Sequence, residues 1–171
     1  VTFGLALPLS ACSGANEHMG SKQTVEHMDD GHSHTETTAP IEANMSHEAK
    51  NVEAVMSNYS KQITAKDLAA MEAYVLTDGE EFTIFEGKGT NIGWADYRDN
   101  HLAPELANED LVFTKYDFID FKTFVDGNIA AVTFSIDAAY NYKGKEASHV
   151  GHGTAILKKV DGKWKIAHMQ T

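Results

Sequence analysis

Cysteine is nearly absent from this chain of 171 residues: Cys12 stands alone, so no internal disulfide can brace the fold. Basic residues are also scarce, with 14 Lys and Arg against 25 Asp and Glu and a formal net charge of −11. No basic stripe is available, and nucleic acid is excluded as a natural partner. No apolar run is long enough to cross a bilayer as a helix. Gly-rich phosphate loops and the GxSxG, HExxH and CxxC patterns are all missing, which removes the enzyme classes those motifs mark. Internal repeats are missing as well.

What is present divides into three segments. Residues 1–12 open with the short uncharged apolar run Val1 to Leu9. Leu9-Ser10-Ala11-Cys12 then resembles a bacterial lipobox, in which the cysteine is lipidated and becomes the first residue of the mature chain. That resemblance implies a signal peptide, a lipid anchor at Cys12 and residence in the cell envelope. With Ser13 next, it implies the outer membrane facing the periplasm if the organism is Gram-negative.

Residues 13–48 contain no aromatic residue and no apolar periodicity, so they are expected to form a disordered tether. Seven acidic residues face Lys22 alone. Imidazoles and thioethers are unusually dense here, with His18, Met19, His27, Met28, His32, His34, Met45 and His47. Imidazole suits copper, zinc and nickel, and thioethers select reduced copper. His18, His27, Met28, His32, His34 and His47 are therefore candidate copper or zinc ligands, without fixed ligand spacing and so without a pre-organised site. A solvated acidic linker is the plainer alternative, and no resident cofactor is expected.

Residues 49–171 are long enough for one hydrophobic core. Val52, Val55, Met56, Tyr59 and Ile63 recur at helical spacing, which predicts a helix over 49–64. A short helix over 67–74 with Thr64 or Asp67 as its cap, a strand over 81–86 and a helix over 91–106 broken near Pro104 are expected next. Long strands follow at 111–125, 128–142 and 146–160, turning at Asp126-Gly127 and Lys143-Gly144. The run from Gly153 to His168 is an alternating strand, an Asp161-Gly162 turn and a last strand opening on Trp164.

That C-terminal hairpin and the order helix, helix, strand, helix, four-strand meander resemble the SnoaL-like branch of the nuclear transport factor 2-like superfamily. The resemblance implies an α+β fold: a cone-shaped, curved antiparallel sheet with the N-terminal helices packed on its concave face. It also implies a pocket in the cone, and a homodimer as a possible assembly. The stretch 93–106 resembles a signature of one subgroup of these proteins, with no reaction attached.

Candidate pocket residues follow from periodicity. Trp94, Tyr97, Arg98 and His101 fall at i, i+3, i+4 and i+7, one helical face mixing rings with cations. On the last strand Trp164, Ile166, His168 and Gln170 alternate onto one face, and His152 shares a face with Thr154 and Ile156. His152 and His168 are thus candidates to project inward near His101. Three readings result. A tethered binding module would hold a small apolar or amphipathic ligand with Trp94, Tyr97, Arg98, His101, His152, Trp164 and His168. A SnoaL-type enzyme would abstract a proton or hydrolyse with His101, His152 or His168 as base, Asp137 pairing with His168. A metal-handling lipoprotein would use the tether.

Overall fold

The computed structural model describes residues 39–171, with side chains from 47 onward. Cys12 and the ligand candidates His18, His27, Met28, His32 and His34 lie outside the described residues.

Helix α1 covers Ala39–Ala65, so it begins ten residues before the predicted 49 and takes in 39–48 of the expected tether. Val52, Met56, Tyr59 and Ile63 are buried along it, as their spacing predicts. Each such burial stabilises by about 1.5–3 kcal/mol. Ser60, the one buried polar residue of the helix among the described residues, ties it to the sheet: its Oγ donates to the Ser57 carbonyl and accepts from the Phe118 backbone N–H.

Helix α2 (Leu68–Met71) starts at Asp67, whose Oδ1 accepts from the Ala70 N–H at 2.9 Å. Strand β1 (Thr83–Glu86) forms a hairpin with β2 (Gly89–Ile92), a strand the sequence reading did not foresee. The predicted helix over 91–106 is realised in pieces. Helix α3 (Trp94–Tyr97) runs into a π-helical turn, Arg98–Leu102, and then helix α4 (Ala103–Leu106). Pro104 explains the turn. It has no N–H to offer the Asn100 carbonyl, and the Ala103 N–H bonds back to Arg98 O.

Strands β3 (Leu111–Asp126), β4 (Ile129–Tyr142), β5 (Lys145–Val160) and β6 (Lys163–Gln170) form the expected antiparallel meander. Lys143, Gly144, Asp161 and Gly162 take the positive φ values that two-residue hairpin turns demand. The sheet order is β2-β1-β6-β5-β4-β3. Strand β1 runs parallel to β6, so the curved sheet is mixed rather than wholly antiparallel.

Two irregularities decide which side chains reach the interior. Asp120, with φ of 55°, sits in a bulge between Ile119 and Lys122 on β3. On β6, Leu157 pairs with Ile166 but Ile156 pairs with His168, so Ala167 is an extra residue. That bulge reverses the alternation of β6 beyond it. Trp164 and Ile166 are buried before it, and Met169 takes the buried role after it.

Candidate functional site

Inside the cone, the residues of α3 and the π turn divide sharply. Trp94 and Tyr97 are core: they are 2% and 3% exposed, and both rings pack on Phe82. Trp94 Nε1 donates to Glu72 Oε1 at 3.1 Å. Arg98 faces outward, its Nη1 donating to the same Glu72 oxygen at 2.8 Å and its Nε to Asp99 Oδ1 at 2.7 Å. It is a surface clamp holding α3 to the residues after α2, and it does not face the interior cluster.

His101 is different. The π turn stacks it on Tyr97, with ring centroids 5.1 Å apart. Its Nε2 lies 3.1 Å from Glu86 Oε2 and 3.6 Å from Glu105 Oε2. Glu86 reaches it because Ile84, two residues earlier on β1, fixes that face as inward. Glu105 reaches it from one turn later on α4. Behind these three lie the buried rings of Tyr59 and Tyr97 and the half-buried Tyr116. Four groups of the six, Glu86, Glu105, Tyr59 and Tyr116, are not marked as site residues by the sequence, which indicates only Tyr97 and His101 of this set as pocket lining and Tyr59 as core.

The electrostatics of the cluster are unusual. Burial, followed by the Glu86 charge and Tyr116, pushes the Tyr59 hydroxyl well above the ordinary phenol range. Burial, then Tyr59 and Glu86, does the same to Tyr97, and burial beside Glu86 and Glu105 raises Tyr116. Burial raises Glu105 too, with His101 acting the other way and Glu86 reinforcing the rise. Among the described residues, His101 is the only basic group within ion-pair distance of Glu86 or Glu105. Tyr59 Oη and Glu86 Oε2 are buried without a well-aligned hydrogen bond, the Tyr97 side chain being only a weak partner of the Tyr59 hydroxyl. The Glu86–His101 approach has ion-pair distance but not hydrogen-bond alignment. Buried polar atoms are normally satisfied, so two neighbouring exceptions invite a water or a ligand.

The remaining predicted residues lie elsewhere. Gly153, Ala155 and Leu157 turn inward on β5, and His152, Thr154 and Ile156 are exposed on the outer face. The Phe134 ring occupies the space under Gly153, where a Cβ would meet its Cζ at 2.5 Å. Small residues therefore face in and His152 faces out, lining a shallow outer depression of about 510 Å3 with Thr133, Ser135 and Thr154. The Ala167 bulge turns His168 to that same outer side, where its Nδ1 is 2.7 Å from Thr83 Oγ1 and its ring meets Phe85 edge-on. Asp137 is ion-paired with Lys115. His168 sits in the row of Ile156 and Ala131, six residues along β4 from Asp137 and two strands away. The proposed His168–Asp137 pair therefore does not exist, and the three histidines do not converge. Trp164 is 4% exposed beneath α1, its Nε1 donating to Glu48 Oε2 at 2.7 Å. Among the described residues no group of three or more His, Cys, Asp or Glu is placed to hold a metal. His47 is an exposed helix residue beside Asn51.

The architecture has clear relatives among solved structures. A superfamily protein of the nuclear transport factor 2-like class from Salmonella enterica superposes with a TM-score of 0.60 at 16% identity, covering 76% of this chain and 90% of that one. The fold is nuclear transport factor 2-like. A protein from Shewanella frigidimarina, provisionally named a ketosteroid isomerase, matches at TM-score 0.57 and 24% identity over 71% of this chain and 92% of that one. The association domain of CaMKII from C. elegans matches at TM-score 0.58 and 14% identity, over 74% and 96% of the two chains. Such divergent neighbours carry the fold and not the activity. A family model described as a protein of unknown function, DUF3804, matches residues 96–171. No curated protein matches the chain.

Proposed function

We propose that the nuclear transport factor 2-like domain binds a small amphipathic molecule at the cluster of Glu86, His101 and Glu105, with the three tyrosines behind it. One observation carries the reading: Tyr59 Oη and Glu86 Oε2 are both buried without a well-aligned hydrogen bond, at the only place among the described residues where an imidazole meets two carboxylates. Such unmet groups favour an occupant with a polar head and an apolar body. Fluorescence titration with Nile red, and its displacement by candidate ligands, tests this. Loss of Nile red binding in Tyr59→Ala, with unfolding excluded by circular dichroism, supports the reading, and unchanged binding opposes it.

A second reading has an observation in its favour. His101 is about one third exposed beside a carboxyl whose proton affinity burial has raised. That is the arrangement general acid–base chemistry requires. In this reading His101 accepts a proton from the bound molecule and Glu105 supplies or holds one. The base is then His101 rather than His168. The structural neighbour provisionally named a ketosteroid isomerase makes ketosteroids a first substrate class to assay.

The lipid anchor at Cys12 belongs to the same proposal. It would hold the domain at the cell envelope, with the His- and Met-bearing segment as a separate copper or zinc capture element and with a homodimer as the assembly. Mass spectrometry of the membrane fraction for a diacylglyceryl adduct on Cys12 tests the anchor.

A further inference from the structure

The cluster has an imbalance that points to the chemistry of its occupant. Glu86 and Glu105 both approach one imidazole, at 3.1 and 3.6 Å. Even when protonated, one imidazole can neutralise only one of the two carboxylates. Arg98, three residues from His101, is committed outward to Glu72 and Asp99. Lys66 is likewise committed, donating to the Leu106 carbonyl at 2.8 Å. Glu86 and Glu105 are 25% and 33% exposed, so the second carboxylate is partly shielded from water and gains from a cationic partner.

The surroundings suit a cation of one particular kind. Tyr59 and Tyr97 are 2% and 3% exposed and form the floor behind the carboxylates, Tyr97 stacked on His101. From Tyr116 an aromatic path leads away along the inner face of the sheet. Phe113 meets Tyr116 at 5.3 Å between centroids and Tyr140 at 6.0 Å. All three rings are half-buried, hence open to a ligand on one side. The buried Tyr59 hydroxyl, which lacks a well-aligned hydrogen bond and lies within reach of the Glu86 charge, is an observation independent of the acidic pair.

We infer that the occupant is an amphipathic organic cation, a protonated amine whose head sits between Glu86 and Glu105 and whose apolar body lies on Tyr116, Phe113 and Tyr140. The inference rests on the small-molecule reading above and narrows it. A metal ion is a poorer occupant, since among the described residues no three His, Cys, Asp or Glu groups are placed to hold one and it would leave the aromatic path unused. An ammonium gains both charge pairing and ring faces.

The test uses three probes with one body: 3-phenylpropylamine, 3-phenylpropanol and 3-phenylpropanoate, titrated calorimetrically into the unaltered chain at neutral pH. The amine is expected to bind about tenfold or more tightly than either of the others. Glu105→Gln and Glu86→Gln should each reduce amine affinity by about tenfold and leave the alcohol unchanged. His152→Ala, on the outer face, should alter neither. Equal binding of all three, or preference for the acid, overturns the cation and leaves a small-molecule site standing. Failure of all three probes, together with failure of Nile red, overturns the site itself. The probe series needs no variant, so a substitution that prevents folding leaves the test intact.

Discussion

His101 Nε2 stands 3.1 Å from Glu86 Oε2, joining an imidazole on a π-helical turn to a carboxylate at the end of the first strand. The contact depends on Pro104, which widens the helix, and on the parity that turns Glu86 inward with Ile84. It places charge at the edge of an aromatic interior, and the functional account rests there.

Tyr59→Phe separates function from stability. Its hydroxyl is buried without a well-aligned hydrogen bond, so removing it should leave stability within about 1 kcal/mol of the parent. Ligand binding should weaken. Chemical denaturation and the Nile red titration together check this; a large loss of stability would mean that the hydroxyl is bonded in solution.

Glu105 should make stability depend on pH in a definite direction. Its folded-state pKa is raised, chiefly by burial. As pH rises through the unfolded carboxyl range, the unfolded chain releases this proton before the folded one does. Stability is therefore lost progressively until the folded pKa is passed, and the penalty persists above it. Glu105→Gln should abolish that contribution and raise the neutral-pH melting temperature relative to the acidic one. Melting curves of both proteins across pH 4 to 8 measure it.

Glu48 should act with the opposite sign. Hydrogen bonds from Lys159 first and Trp164 second lower its pKa. Its contribution is present above the unfolded carboxyl value and disappears as pH falls through the lower folded value. Glu48→Gln should consequently lose stability at neutral pH and become indistinguishable from the parent in strong acid.

Gly153→Ala tests the packing that points His152 outward. The new Cβ would meet Phe134 at 2.5 Å, and overpacking of this kind costs about 1–3 kcal/mol. His152→Ala, by contrast, should fall within about 0.5 kcal/mol of the parent. Urea unfolding midpoints distinguish the two.

Much of the fold was legible because local chemistry dictated it. Asp161-Gly162 and Lys143-Gly144 supply the positive φ of tight turns, and the Val52 to Ile63 stripe leaves little choice for α1. The site was less legible. The Ala167 bulge has no compositional mark, yet it turns His168 away from the interior. On β5 Gly153 faces in where Phe134 fills the space beneath it, which only the assembled sheet reveals. Glu86 and Glu105 are ordinary surface-type residues in sequence. They become a pair only when β1 and α4 meet across His101. Trp94, Tyr97 and Trp164 were correctly read as aromatic and inward, but they are packed core rather than walls.

Amide chemical-shift mapping of the full chain during titration with 3-phenylpropylamine tests the central claim most directly. The account predicts saturable shifts centred on Glu86, residues 97–106 and Tyr116. Shifts centred instead on Thr133, Ser135, His152 and Thr154, or no saturable shift at all, would contradict it.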